Sequence, residues 1–369
     1  MFRQTLLLLA LMGTIGFPVQ AKAEPQAEWT RTLYVANNAV DSKSCGAKTS
    51  PCRSISQAID NARNGDRIVV GPGRYGDLNA DGDFDDPGDE AAEVFTGCRC
   101  MILIDKRLKL ESTDGAKATV LDAAGAVLDV VNITANGVVF GGDGKGFTLT
   151  GAGMVTDDDG LGLDILAARD VRVIDNIAQG NQDTGFRING NRQTARKNFS
   201  IGNRTGFDCG SDAEGNTIKD NVALANIGNG FAIFGLNDSV VENRSIGNRG
   251  QGFLLLSTDA SGFEFEENEA IGNRGAGIWV QVGSGFRLRE NAFFGNLGEP
   301  FAIFPAAPNC GVVNDTGNTV DATRNYWGAP TGPGPDPADD GGRGTVCDRN
   351  GRTLVTPFDP TPSLLPLAP

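Results

Sequence analysis

Six copies of one short phrase constrain this chain more than anything else in it. Asn176, Asn198, Asn221, Asn243, Asn268 and Asn291 are each followed five residues on by a second asparagine, at Asn181, Asn203, Asn226, Asn248, Asn273 and Asn296. The steps between copies are 22, 23, 22, 25 and 23 residues. Most copies continue with a glycine and a large apolar residue, as in Gly185-Phe186, Gly206-Phe207, Gly230-Phe231, Gly252-Phe253 and Gly277-Ile278, with Phe301 in the same register. Units this short cannot bury an apolar face alone, so they stack and share one continuous core.

The residues between the asparagines decide what is stacked. Phe186/Ile188, Phe207/Cys209, Phe231/Ile233, Phe253/Leu255, Ile278/Val280 and Phe301/Ile303 alternate with Arg187, Asp208, Ala232, Leu254, Trp279 and Ala302. That is the period of two of a strand. A second strand precedes each leading asparagine, as in Val171-Arg172-Val173 and Phe263-Glu264-Phe265, and a third lies between the paired asparagines, where Ile201, Leu224, Ile246, Ile271 and Phe294 share one position. Three strands in about 22 residues leave no room for a helix, so the expected fold is all-β, a single-stranded parallel β-helix. Counting the less regular strands from Met101 to Val173 gives about ten coils, a rod on the order of 50 Å long. Both asparagine columns then read as structural: the amide tolerates a left-handed turn, and stacked amides bond along the column. The sequons at Asn198, Asn203, Asn237 and Asn243 follow from the same abundance of turn asparagines.

Residues 1–23 read as a secretory signal, with Arg3, an apolar run from Leu6 to Phe17, and Ala21-Lys22-Ala23 before Glu24. The expected mature protein is secreted or periplasmic, and no segment is long and apolar enough to insert in a membrane. The formal charge of −14 becomes −16 when Arg3 and Lys22 leave. So acidic a body repels nucleic acid and anionic membranes, and acidic polysaccharides unless a cation bridges them. Of seven cysteines, Cys45 with Cys52 and Cys310 with Cys347 are the expected disulfides. Direct pairing of Cys98 with Cys100 is expected to be strained. Cys209 falls in the column of Ile188 and Ile233 and is expected to be a buried free thiol.

A strand at Leu33-Tyr34-Val35 precedes a helix expected over Ser54 to Arg63, N-capped by Ser54, with Ile55, Ala58, Ile59 and Ala62 on one face. Such a helix can close the open end of the solenoid. The run from Tyr34-Val35 through Pro51-Cys52-Arg53-Ser54-Ile55, Gly65-Asp66-Arg67-Ile68-Val69-Val70 and Pro72-Gly73-Arg74-Tyr75 resembles the N-terminal cap of pectin-lyase-like right-handed β-helix proteins. Asn325-Tyr326-Trp327-Gly328-Ala329-Pro330 resembles the segment after their last coil. The resemblance implies a right-handed coil and leaves activity open, because that superfamily holds lyases, hydrolases, epimerases, adhesins and inactive proteins. The expected organisation is 24–66 cap, 67–310 β-helix with an acidic insertion at 76–97, and 311–369 C-terminal cap and tail.

Within the insertion, Asp77, Asn79, Asp81, Asp83 and Asp85, with Gly82 at the turn, resemble a calcium loop of the EF-hand and dockerin type. Position 12 is Gly88 instead of the bidentate Glu. Calcium is the expected ligand, and a solvated acidic loop is the alternative.

There is no histidine. That excludes Ser-His triads, His-built zinc sites and histidine acid–base chemistry. Lyase chemistry resembling calcium-dependent pectate lyases survives, with Asp157, Asp158, Asp159, Asp183, Asp208 and Asp212 as candidate acids and Arg196, Lys197 and Lys219 as candidate bases. Glu264 and Glu266 are expected to meet Arg287 and Arg289 in a surface charge ladder. Trp279 and Leu254, outward in adjoining coils, are candidate ligand-binding residues, since exposed apolar groups stack on sugar rings. The expected function is that of an exported, non-catalytic protein that binds an extracellular or cell-envelope polysaccharide or serves as a surface scaffold. A calcium-dependent uronate lyase and an adhesin-like protein-binding module are the alternatives.

Overall fold

A computed structural model describes residues 29–95, 98–155, 159–210, 213–260, 262–297, 310–334 and 345–362. Three parallel sheets run the length of the coils, and each coil visits them in a fixed order. Sheet A has ten strands, from Thr32–Val35 and Arg67–Val70 to Leu288–Arg289; it holds the strands that precede the leading asparagines. Sheet B has nine, from Gly73–Gly76 to Ala292–Phe294, lying between the paired asparagines. Sheet C has eleven, including Asp129–Ile133, Leu163–Ile165, Thr184–Ile188, Thr205–Cys209 and Cys310–Asn314. The pairing is parallel except where Glu93–Phe95 meets Cys98–Ile104. The molecule is therefore a right-handed parallel β-helix, and no helix among the described residues is long and apolar enough to cross a membrane.

Stacking places like on like. Phe186, Phe207, Phe231 and Phe253 form one inward column with ring centroids 5.1, 4.7 and 4.8 Å apart. All four are fully buried. Cys209 pairs with Ile188 below and Ile233 above, buried and unbonded. The asparagine columns are hydrogen-bonded ladders: Asn198 Oδ1 accepts from the Asn176 amide at 3.0 Å, and Asn198 Nδ2 donates to Asn221 Oδ1 at 3.1 Å. Asn203, Asn226 and Asn248 repeat this along the second column. The first ladder runs on to Asn325, whose Oδ1 accepts from the Asn291 amide. Phe301 and Ile303 lie outside the described residues; above Ile278 and Val280 stand Val312 and Asn314.

A third ladder, which the sequence reading missed, runs along the turn from sheet C to sheet A. Gln193 Oε1 accepts from the Val171 amide, Asn216 Oδ1 from Gln193, and Asp238 Oδ1 from Asn216, each at 2.8 Å. Three different residue types fill it, so no word repeats.

Helix α1, Ile55–Asn61, starts where expected, with Ser54 Oγ accepting from the Gln57 amide. It ends earlier than Arg63, because Ala62 already leaves helical geometry. Cys45–Cys52 and Cys310–Cys347 are bonded. Cys98 and Cys100 are bonded as well; strand alternation puts both on the buried side of Cys98–Ile104, their Cα atoms 5.5 Å apart. The charge ladder keeps the expected register. Glu266 does stand beside Arg289, but the guanidinium reaches the other way, to Asp321 at 2.8 Å.

Candidate binding groove

Parallel register turns the outward residues of sheet C into one column: Asn132, Asp164, Arg187, Asp208, Ala232, Leu254, Trp279 and Val313. Its polar half, Asn132 to Asp208, alternates an amide, carboxylates and a guanidinium. Arg187 Nε and Nη2 donate to Asp164 Oδ1 and Oδ2 at 2.8 and 2.7 Å. Asp164 is fully buried. A two-point pair of this kind fixes the guanidinium plane as well as its position.

Other carboxylates gather around it. Asp129 Oδ1 accepts from the Leu161 amide at 2.9 Å, and Asn132, with its amide turned to suit its neighbours, donates to Asp129 Oδ2. Burial pushes the Asp129 carboxyl up to about 7, and the charge of Asp164 adds to this while Arg187 opposes it. Asp208 is pushed up to about 6, again chiefly by burial, with Arg187 pulling down and Asp183 and Asp164 pushing up. Asp159 lies 3.6 Å from Arg99, and Asp183 lies 3.6 Å from Arg204.

Beside Arg187 and Asp208 the strands end and a groove of about 710 Å³ opens, lined also by Arg169, Asn189, Asn191 and Phe234. Two glycines shape its wall. At Gly210 a Cβ would fall 1.9 Å from Asn189 Oδ1, and at Gly190, with φ of 93°, one would fall 2.1 Å from Ala168 O. The groove thus offers a fixed guanidinium, a carboxylate, two amides and a half-buried aromatic ring, a mixture suited to hydroxyl-rich ligands.

Of the candidate acids, Asp208 lines the groove and Asp183 acts on it through its charge; Asp159 is not among the lining residues, and Asp157, Asp158 and Asp212 lie outside the described residues. The candidate bases do not join them. Arg196 and Lys197 pair with Asp143, and Lys219 with Glu242, at the turn between sheets A and B. Trp279 shares the column but lies under the C-terminal segment: Arg349 stands 5.3 Å from its ring centroid, and Trp279 and Cys347 both pack on Ala276, Cys310 and Val313. Arg349 thus stands over a ring face that a sugar would use, and Trp279 is half-buried. Leu254 stays half-buried one coil below. Asp164, Arg187, Asp129, Asn189 and Asn191 were missed as a group, because each is ordinary in its own coil.

The calcium loop does not converge in this structure. Asp77, fully buried, accepts from the amides of Ala80 and Gly82 at 2.6 and 2.9 Å, and Asn79, Asp81 and Asp83 each accept from the amide two residues on. Asp81 and Asp85 help push the Asp83 carboxyl up, as close like charges do. Among the described residues only Asp41, Cys45 and Cys52 bring three acidic or sulfur ligand atoms within 4.8 Å of one another. Those sulfurs are joined and Asp41 serves the amides of Arg53 and Ser54, so that group is no metal site.

Residues 161–326 match the family model for the right handed beta helix region. No curated protein matches the chain. Among solved structures it is similar to the pectate lyase Pel9A, at 16% identity over 89% of this chain and 78% of that one, with a TM-score of 0.40. It is also similar to a rhamnogalacturonan lyase, at 13% identity over 89% and 87%, TM-score 0.42. A GH136 lacto-N-biosidase from Eubacterium ramulus matches at 10% identity over 88% and 68%, TM-score 0.30.

Proposed function

The chain is a right-handed parallel β-helix protein, and on that premise we propose that it is exported and binds a glycan, without turning it over, in the groove beside Arg187 and Asp208. The observation that carries this is the two-point pairing of Arg187 with buried Asp164 next to Asp208 in an open groove. A guanidinium held in one plane and a carboxylate beside it hydrogen-bond vicinal hydroxyls with little ordering cost. Binding is favoured over lyase chemistry because the candidate bases are ion-paired at a different turn and the chain has no histidine.

The test is calorimetric titration with neutral and uronate oligosaccharides, followed by Arg187→Ala and Asp208→Asn. Binding should weaken about tenfold or more in each variant, as the loss of a charge-assisted hydrogen bond does. It should also weaken as pH falls through 6, where Asp208 takes up a proton and ceases to be a pure acceptor. Absence of binding to any glycan sinks the proposal. Rising ultraviolet absorbance with uronate polymers would replace it with a lyase.

A further inference from the structure

The outer face of sheet B carries a feature that the groove does not use. Strand alternation turns Ala178, Ser200, Ala223, Ser245 and Ala270 into the core, all fully buried. The same alternation sends Ile201, Leu224, Ile246, Ile271 and Phe294 outward, half-buried and stacked in five successive coils. Ile227 and Leu297, 59% and 46% exposed, extend this apolar stripe into the next turn. Five coils at about 4.8 Å make the stripe about 24 Å long, and beside it on the same face Arg244 and Glu269 neutralise each other at 2.7 Å.

Charge borders the stripe unequally. Before the leading asparagines stand Asp220, Glu242, Glu267 and Glu290; after the second asparagines stand Arg204, Arg249 and Arg274. We propose that a second copy of this chain covers the stripe, the two rods lying parallel about a two-fold axis that runs along their length. That axis exchanges the borders at equal height, setting Glu242 against Arg249 of the second copy and Glu267 against Arg274 of the second copy. A two-fold across the rods would set acid on acid and arginine on arginine, which costs association. Lys197 faces Arg204 of the second copy, but each has a carboxylate beside it, Asp143 at 3.0 Å and Asp183 at 3.6 Å. Lys219 shares Glu242, at 2.7 Å. The borders therefore select the orientation, and the stripe supplies the adhesion.

On this axis the column from Ile201 to Phe294 lies beside the two-fold, so each residue packs on its own counterpart. Sedimentation equilibrium of the mature chain should show a reversible monomer–dimer equilibrium, with Leu224→Asp plus Ile246→Asp raising the dissociation constant about tenfold or more. Leu224→Cys, Ile246→Cys and Ile271→Cys, made singly, should each oxidise to a covalent dimer, while buried Cys209 stays out of reach. If the aspartate pair does not fold, the three single cysteines decide. A chain that stays monomeric to near-millimolar concentration overturns the proposal, whatever else then binds the stripe. So does a dimer indifferent to the aspartates, and cross-linking at only one of the three cysteines overturns the parallel axis.

Discussion

Asp238 occupies a rung of the third ladder where Asn216 and Gln193 stand in the coils before it. Its Oδ2 is buried with no hydrogen-bond partner. Burial pushes its carboxyl up to about 7, helped by the charge of Glu214. A carboxyl with a raised folded pKa favours the fold while protonated; that contribution is complete below the unfolded value near 4 and is lost as pH rises through about 7. Asp238→Asn, neutral at every pH, should therefore melt higher than the parent at pH 8, with the gain shrinking toward pH 4. A gain independent of pH would mean that the Asp238 carboxyl titrates alike in the folded and unfolded chain, so that burial does not raise its pKa. In the aromatic column, Phe231 is stacked on Phe207 and Phe253 with no solvent access. Phe231→Ala should cost about 3 to 5 kcal/mol in denaturant unfolding; a loss below about 1 kcal/mol would contradict the stack.

At the scale of elements, the acidic insertion and helix α1 are one unit. Five successive amides at the helix start are satisfied by three side chains: Asp41 takes Arg53 and Ser54, Glu90 takes Ile55 and Ser56, and Ser54 takes Gln57. Glu90 comes from the far end of the insertion, so the loop is clamped to the cap that closes the core. Burial pushes its carboxyl up from the ordinary glutamate value, with the donors from Ser56 and Ile55 opposing. Calcium in the insertion is a proposal that asks Asp81, Asp83 and Asp85 to close on Asp77 and Asn79. Calcium should then protect residues 77–93 from protease, and Asp81→Ala should abolish the protection. Equal cleavage with calcium and with chelator would leave the loop held by Asp77 and Glu90 alone.

Across the whole molecule, coils pack chiefly on their immediate neighbours, so opening should start at the ends and leave the middle last. The ends are where covalent links sit: Cys45–Cys52 and Cys98–Cys100 near one, Cys310–Cys347 at the other. Amide exchange should be slowest between Asn198 and Asn273, and reduction should speed exchange in the terminal coils while sparing that region. Uniform acceleration along the rod would mean that it opens as one cooperative body.

Fold and strand order were legible in the sequence because each asparagine and phenylalanine meets a copy of itself, so a column in space is also a word repeated along the chain. The cap was legible because helix signals are local. The groove was not. Asp164 and Arg187 are 23 residues apart, and nothing in either coil marks them as a pair; only stacking at about 4.8 Å makes them neighbours. Trp279 read as exposed because the segment that covers it lies some 70 residues further on, joined by Cys310–Cys347. Periodic short-range chemistry determined the β-helix from sequence alone. Which outward residues share a coil face, and which are covered, was decided by tertiary contacts that carry no repeated word.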